Sequence, residues 1–283
     1  MASRMETLLN AVKRAKSTAG GDKEDKNFYY PERDSAGNAS VVIRFLPGKT
    51  DDDIPFVKTY AHGFKGPTGK WLIEDCPTTI NQPCFVCEKN GVLWNTGIKA
   101  NQDIVRERKR KISYVSNILV IEDKKSPENE GKIFLFKFGT KIFNKIADKI
   151  EPEFEDETPC NIFDLETGAN FKFKIRKVEG QTNYDKSEFS DSSKIEINIE
   201  TAENLDQFTD PKRYKSSEDL EKRFNIAVGN VDRMAEKEEL VKEESTKEVK
   251  KSEELKPSKV EDAEEEIEED AVLELMRQLA EAD

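Results

Sequence analysis

The stretch HGFKGPTGKWLIEDCPTTINQPCFVC, residues 62–87, holds the single histidine of the chain and three of its four cysteines. The four residues follow the spacing His-x13-Cys-x7-Cys-x2-Cys, as His62, Cys76, Cys84 and Cys87. Imidazole nitrogen and thiolate sulfur are ligands that zinc prefers, and four of them complete a tetrahedral shell. The spacing therefore predicts one structural Zn²⁺ ion in a Cys3His subdomain at about residues 60–90.

Buried thiols beside a packed histidine are the alternative interpretation, because free cysteine is common in protein cores. The surrounding sequence is polar and rich in turn residues, however, and has few apolar side chains that could bury four such groups. A disulfide is not expected. The N-terminus carries no secretory apolar segment, and a long, charged, cysteine-poor chain is typical of cytosolic proteins.

Catalysis is also not expected at this site. Residues 83–87, PCFVC, match half of the zinc nucleobase-deaminase signature, which in addition requires a His-x-Glu pair. The residue two positions after His62 is Phe64, and Cys76 would close the coordination position that a catalytic zinc keeps for water. The sequence contains no phosphate-binding glycine loop, dinucleotide fingerprint or serine-hydrolase elbow. We therefore expect a binding protein rather than an enzyme.

Charge divides the chain into regions. The net charge is −12 over 283 residues, and residues 261–283, with eleven acidic residues against one arginine, carry −10 of it. We predict a basic N-terminal arm at 1–21, a folded core at 22–235, a charged linker at 236–260 that cannot order itself, and an acidic tail at 261–283. No apolar run approaches the length of a membrane span, so no membrane association is expected.

Short alternating segments between residues 28 and 184 predict a mainly β fold with peripheral helices. The predicted strands cover residues 40–47, 55–61, 70–74, 112–123, 131–139 and 169–178. One helix is predicted among them at 140–150, and further helical segments near 202–208 and 217–244. Five or six short strands with so few helices indicate a small Greek-key barrel of the OB type, with the zinc subdomain inserted between early strands.

Cations and aromatic residues alternate through the same region. Five cations lie within six residues directly before a predicted strand that carries Tyr114: Arg106, Arg108, Lys109, Arg110 and Lys111. Further cations stand next to aromatic residues: Arg44, Lys65, Lys70 and Lys137, the last beside Phe136. Phosphates neutralise crowded cations and aromatic planes stack on unpaired bases, so this pattern favours a single-strand binder. A merely solvated basic face is the alternative.

These residues resemble the family of helix-destabilising single-stranded-DNA-binding proteins of T-even-like bacteriophages. The motifs that carry the resemblance are VIRFLP (42–47), HGFK (62–65), GKW (69–71), CFVC (84–87), RKISY (110–114), SNILV (116–120), PENEGK (127–132), ANF (169–171) and NYD (183–185). The resemblance implies an OB-fold core with an inserted Cys3His zinc subdomain, a basic arm for cooperative self-association, and an acidic C-terminal region that contacts replication and recombination proteins.

The resemblance also assigns individual residues. It places Trp94, Tyr114, Phe136 and Tyr184 at aromatic positions of the DNA groove. In the arm it assigns self-association to KRAKST (13–18), with Lys13, Arg14, Lys16, Ser17 and Thr18. Val115 stands where the family has a tryptophan, and two other groove aromatics have no counterpart, so a less aromatic groove is expected.

We therefore predict a cooperative, sequence-nonspecific protein that coats and protects single-stranded DNA during phage replication, recombination and repair in the cytoplasm of the infected bacterium. The expected partners are single-stranded DNA, further copies of the chain along the strand, and a polymerase, helicase loader and recombination mediator that bind the acidic tail. A zinc-containing OB-fold interaction adaptor and an RNA-binding regulator are the alternatives, because the residues by themselves do not separate DNA from RNA.

Overall fold

A computed structural model describes residues 27–50 and 53–229, so the predicted arm, linker and acidic tail lie outside the described residues. Eight strands are present there: β1 Ala39–Phe45, β2 Phe56–Lys65, β3 Trp71–Asp75, β4 Lys111–Glu122, β5 Ile133–Phe138, β6 Ala169–Val178, β7 Gln181–Asn183 and β8 Glu188–Ser192. The α-helices of this part are α1 Phe85–Asn95, α2 Lys99–Arg108, α3 Thr140–Ile150 and α4 Ser217–Val228.

The long strand β4 organises the sheet, in which all named strands pair antiparallel. Along one edge, the first half of β4 pairs with β2 and its second half with β1, while β5 pairs along the other edge. β1 then pairs with β6, which carries β7 and β8. Sharing one long strand between several partners curls the sheet into a half-barrel. The predicted mainly β fold with an OB-type core is confirmed.

Aromatic side chains fill the interior of the curled sheet. Along β6, the predicted alternation holds, since Phe171, Phe173 and Ile175 are buried while Lys172 and Arg176 are exposed. Helix α3 closes the core because its apolar residues recur at helical spacing, with Ile142, Phe143 and Ile146 buried. We call the curled sheet together with α3 the sheet core.

A second, smaller apolar cluster lies around β3 and the helices that follow it. Phe64 and Leu72 of the β2–β3 hairpin pack with Val86 of α1, and α4 covers them with Leu220 and Phe224. The β2–β3 turn holds the end of α4, because the Thr68 hydroxyl donates to the carbonyl oxygens of residues 226 and 227 at 3.0 and 2.6 Å. We call this contact the Thr68 clasp, and β3, α1, α2 and α4 the metal subdomain.

The prediction of a single helix among the strands was wrong, because α1 and α2 also lie there. Their apolar pattern is faint: α1 buries only Val86, Asn90 and Leu93, and α2 only Val105 and Arg108. The segment 202–208 forms a short 3-10 turn, Leu205–Phe208, and α4 stops at Val228, where Gly229 takes a positive φ of 76°. Strands β7 and β8 were not predicted.

Among the described residues, no helix combines the length and the apolar character that crossing a membrane requires.

Candidate metal centre and nucleic-acid interface

His62, Cys76, Cys84 and Cys87 lie together, and their ligand atoms are all within 4.8 Å of one another. The Sγ atoms of Cys76 and Cys87 are 3.6 Å apart, and His62 Nε2 lies 3.5 and 3.4 Å from the Sγ atoms of Cys84 and Cys87. A zinc ion with bonds of about 2.3 Å in a tetrahedron separates neighbouring sulfurs by about 3.8 Å. The contacts therefore have the size of a tetrahedral zinc shell.

Each ligand is positioned by regular structure. His62 lies within β2, opposite Glu74 of β3, and Cys76 follows directly after the end of β3. Cys84 is the residue before the first turn of α1 and Cys87 lies in that turn, so both sulfurs point to one side of the helix start. The short sequence spacing thus becomes a compact site only because β3 and α1 fold back onto β2.

The histidine is oriented by a carbonyl group. His62 Nδ1 is 3.1 Å from the carbonyl oxygen of Arg108, to which Asn90 Nδ2 also donates at 3.2 Å. A carbonyl oxygen only accepts hydrogen bonds, so Nδ1 carries a proton, and Nε2 is left facing the sulfur atoms. Metal-binding histidines show this arrangement, in which the second nitrogen donates to a backbone oxygen.

Crowding of the sulfurs changes their proton affinities. Contacts with Cys84 and Cys87 lower the pKa of the Cys76 thiol, whereas contacts with Cys76 and Cys84 raise the pKa of the Cys87 thiol. Burial by itself lowers the pKa of His62, but the combined contacts with the sulfurs of Cys76 and Cys84 outweigh burial and raise this pKa to about 9. A buried, sulfur-rich site of this kind favours a cation at its centre.

The residues present therefore fit one zinc ion. When bound, zinc would crosslink β2, the end of β3 and the start of α1, and the four protein ligands would leave no coordination position for water.

The five clustered cations occupy different environments. Arg106 and Arg108 lie in the last turn of α2, residues 109 and 110 connect, and Lys111 begins β4. Arg106 is exposed, forms an ion pair with Asp103 and lies with Cζ 5.4 Å from the Trp94 ring centroid. Arg108 is only 5% exposed and lies between the rings of Phe64 and Phe224, at 5.6 and 5.7 Å. Arg108 therefore packs the metal subdomain rather than facing solvent.

Arg44 was predicted to contact nucleic acid, but the structure buries it completely, at 0% exposure. Its guanidinium donates to the carbonyl oxygens of Asp164 and Ser193 at 2.7 and 3.0 Å and to the Asn170 side chain at 3.3 Å. Burial lowers the pKa of this guanidinium. Residues 43 and 45 lie on the core side of β1, and Arg44 lies on the opposite face, where residues 164, 170 and 193 cover it. Arg44 is unable to reach a phosphate in this fold.

Two of the predicted groove aromatics are core residues. Tyr114 is 6% exposed and stacks on Phe143 of α3, with ring centroids 4.0 Å apart. Phe136 is buried against Phe45 and Phe173. Tyr114 of β4 and Phe136 of β5 are covered by residues of α3 and β6. The sequences of β4 and β5 by themselves therefore do not reveal this burial.

The remaining predicted interface residues reach the surface. Trp94 is partly exposed, and Tyr184 is half-buried with its ring stacked on Phe173 at 5.5 Å. The exposed cations of the prediction are Lys65, Lys70, Arg106, Lys109, Arg110, Lys111 and Lys137. The self-association residues 13–18 lie outside the described part of the chain.

Comparison with known proteins identifies the family to which this fold and this cysteine–histidine site belong. A family model described as gp32 DNA binding protein like matches residues 37–228, more than half of the chain. The chain belongs to the gp32-like family.

Two relatives match most of this gp32-like chain, and a third matches a shorter part of it. It is 39% identical over 242 residues to the single-stranded DNA-binding protein of Enterobacteria phage T2, covering 80% of this chain and 78% of the relative. The protein of the same name from Enterobacteria phage T4 is 39% identical over 246 residues, covering 81% and 80%. A third, from Enterobacteria phage RB70, is 40% identical over 117 residues, which are 40% of this chain and 95% of the relative.

This gp32-like chain also carries an aromatic–cation group that the sequence analysis missed. Tyr60 of β2 is half-buried, with Lys58 Nζ at 5.6 Å and Arg110 Cζ at 4.2 Å from its ring centroid. The signal was present in the order FVKTYAH, because residues 58, 60 and 62 lie on one side of a strand. Once His62 is taken as a ligand, the same side of β2 must present Lys58 and Tyr60 beside the metal centre.

Proposed function

We propose that this chain binds single-stranded DNA without sequence preference, and coats and protects it during phage replication, recombination and repair in the cytoplasm of the infected bacterium. The observation that carries the proposal is the family match, which spans the sheet core and the metal subdomain, together with relatives named single-stranded DNA-binding proteins. Relatives of that name support a binding role, and no catalytic step is assigned.

Exposed cations at the junction between sheet core and metal subdomain support the same function. Lys109, Arg110 and Lys111 are consecutive and exposed, and Trp94 lies partly exposed beside Arg106. Cations there would neutralise successive phosphates while aromatic rings stack on bases, which excludes duplexes because their base faces are hidden.

The test is a titration of the chain with oligo-dT, oligo-rU and a duplex at several salt concentrations. We expect salt-dependent binding to oligo-dT, and weaker binding to the duplex. Salt-independent binding, or equal affinity for the duplex, would contradict the proposal. A preference for oligo-rU would point instead to an RNA-binding regulator.

Variants separate phosphate contacts from stacking. Replacing both Lys109 and Lys111 by glutamine should flatten the slope of log affinity against log salt by roughly 0.7 for each lost phosphate contact. Trp94→Ala should cost about 1–3 kcal/mol of binding free energy with little change of slope, because stacking releases no counterions. The matched control is Lys124→Gln, an exposed lysine that pairs with Glu122 at 3.1 Å. Equal slope changes in both variants would refute this division.

The ligand geometry supports one structural zinc ion per chain, bound by His62, Cys76, Cys84 and Cys87. Metal analysis of protein that was never denatured or chelated should find about one zinc per chain. Protein without zinc that still binds oligo-dT and keeps its fold would rule out this role.

The basic arm, residues 1–21, is proposed to bind a neighbouring copy along the DNA through Lys13, Arg14, Lys16, Ser17 and Thr18. Removing residues 1–20 should leave binding to a short oligonucleotide nearly intact, since one molecule fills it, and should abolish the cooperative steepness on long strands. Equal losses on short and long strands would show that the arm contacts DNA itself.

The acidic tail, residues 261–283, carries −10 and is proposed to compete with phosphate and to bind a polymerase, a helicase loader and a recombination mediator. Its apolar residues could form one face of an induced helix: Val272, Leu273, Leu275, Met276 and Leu279. Deleting the tail should raise DNA affinity at low salt, and the gain should fade as salt shortens the Debye length. If the full-length and tail-deleted chains have equal DNA affinity at low salt, competition is refuted. The tail would then have only a solubilising role.

A further inference from the structure

An exposed arginine contacts an aromatic ring where β2 meets residues 76–84, which we call the metal-binding loop. We infer that Lys58, Tyr60 and Arg110 form a nucleotide subsite, in which one base stacks on the Tyr60–Arg110 pair and the adjacent phosphate is held by the cations. This inference rests on the proposed binding of single-stranded DNA. We call these three residues the junction subsite.

The strands place the three residues on one side. Lys58 and Tyr60 are two residues apart in β2, so their side chains lie on the same side of the strand. They pair with Tyr114 and Ile112 of β4, respectively. Arg110, which directly precedes β4, lies with Cζ 4.2 Å from the Tyr60 ring centroid. A planar guanidinium this close to a ring makes a flat surface on which a base can stack.

Comparison with Arg108 indicates that the Tyr60–Arg110 pair serves binding. Arg108 contacts two rings, Phe64 and Phe224, and is buried, as expected for a cation that packs a core. Arg110 contacts one ring and is exposed, so its remaining surface is open to a ligand. Arg108 therefore packs the interior of the metal subdomain, whereas Arg110, two residues later, is available to a ligand.

The positive charge of the junction subsite favours the binding of an anion. Among the described residues, no carboxylate forms an ion pair with Lys58, Arg110 or Lys111, although nearby Arg106 is paired with Asp103. Cations grouped without acidic partners repel one another, and a phosphate between them removes this repulsion.

The metal-binding loop holds the subsite in place. Arg110 Nη1 donates to Thr78 Oγ1 at 2.8 Å, and that hydroxyl lies 3.1 Å from Cys76 Sγ. Because Thr78 accepts from Arg110, its own proton can be donated to the sulfur. The backbone of Tyr60 accepts from Cys76 N at 2.8 Å and donates to Thr79 Oγ1 at 2.9 Å. Thr78 is therefore a positioning residue that couples the subsite to the metal centre.

The test measures binding to an oligo-dT of about eight nucleotides, a length within the range that one OB fold covers. Zinc content and thermal stability are recorded for each variant. Tyr60→Leu should lose roughly tenfold or more in affinity with an unchanged salt slope, whereas Tyr60→Phe should bind like the unaltered chain. Arg110→Gln should flatten the salt slope by roughly 0.7, and Arg110→Lys should restore the slope without the full affinity. Lys124→Gln is the control.

Thr78 provides a second pair of variants. Thr78→Val should weaken binding because Arg110 loses its acceptor, and should speed the transfer of zinc to a chelator because Cys76 loses its donor. Thr78→Ser keeps the hydroxyl and should restore both properties. Zinc transfer and DNA affinity that are both unchanged in Thr78→Val would refute the coupling.

The outcomes separate the subsite from the general function. If the unaltered chain does not bind oligo-dT, the proposed function fails. If it binds, and zinc-loaded Tyr60→Leu binds equally well, only the junction subsite is overturned. Should Tyr60→Leu lose zinc, ultraviolet crosslinking of the unaltered chain to an iodouracil oligonucleotide decides, because crosslinks at Tyr60 support the subsite and crosslinks at other residues alone overturn it.

Discussion

The sheet core and the metal subdomain are held together by different means. The sheet core is packed with aromatic rings. The buried ring of Phe45, for example, contacts five other phenylalanine rings: Phe136, Phe138, Phe163, Phe171 and Phe189. The metal subdomain has only a small apolar cluster, to which α4 contributes four of the nine buried residues from the far end of the described chain, and the four candidate metal ligands lie beside it. We therefore expect side-chain packing to hold the first region together and the proposed zinc ion to hold the second.

Removing the metal should separate the two regions most strongly. Zinc binding contributes about 10–16 kcal/mol in isolated zinc-finger peptides, far more than a single packing contact. His62→Ala or Cys87→Ala, and chelation of the unaltered chain, should therefore remove amide protection from β3, α1 and α2 in hydrogen exchange, while β1 and β6 stay protected. Cys160→Ser, which changes the cysteine outside the quartet, should alter neither zinc content nor exchange. Equal loss of protection in both regions would refute the comparison.

A cavity in the sheet core should have the next largest effect. Phe45→Ala removes a fully buried ring and should lower the free energy of unfolding by about 3–5 kcal/mol, measured by denaturant titration. The folded variant should still bind one zinc, because no ligand is disturbed. Phe154→Ala, at a residue 65% exposed, is the matched control and should change little. Comparable losses in the two variants would mean that the rings do not stabilise the core.

Loss of the buried hydrogen bond from Tyr29 to Asp123, which is 2.7 Å long, should destabilise the sheet core less than the Phe45 cavity does. Tyr29→Phe should lower the free energy of unfolding by about 1–3 kcal/mol, because a buried acceptor loses its donor. Burial, followed by the contact with Asp123, raises the pKa of Tyr29 above its ordinary 10.0.

This pKa shift gives the hydrogen bond a pH dependence. A raised pKa contributes stability in full below the ordinary value of 10.0, and that stability is lost as the pH rises further. The difference between the unaltered chain and Tyr29→Phe should therefore shrink above about pH 10, as denaturant titrations at several pH values would show. A difference that stays constant through this range would contradict the assignment.

The smallest effect is expected at the surface pair of Arg176 and Asp185, where Nε donates to Oδ1 at 2.8 Å. The hydrogen bond from Arg176 lowers the pKa of Asp185 to about 2. The lowered pKa contributes stability above the ordinary value of 3.8, which is lost as the pH falls toward 2. Asp185→Asn should thus destabilise slightly at neutral pH and no longer do so well below pH 2, and an undiminished effect there would exclude the ion pair as its cause.

Sequence patterns predicted those features that short segments determine. The helix Thr140–Ile150 has the predicted bounds, because its apolar residues recur at helical spacing, and β6 alternates as expected. The four metal-site residues were found because they lie within 26 residues and include the only histidine.

Burial by distant elements was not predictable in this way. Arg44 is covered by residues 164, 170 and 193, and Tyr114 by Phe143 of α3, so neither strand's own sequence reveals that its side chain is enclosed. Helix α1 was missed because it is organised by the metal site rather than by an apolar stripe. The junction subsite depends on pairing between β2 and β4, which no local pattern contains.

The Thr68 clasp sets a limit on how far this chain can be shortened from its carboxyl end. A protease cut or a stop before residue 226 would remove both carbonyl acceptors of Thr68, and an earlier cut would also uncover Phe64 by removing Phe224. The shortest autonomous fragment should therefore include Val228, the last residue of α4. The family match also ends at residue 228, so the shortest stable fragment is expected to end where the matched region ends.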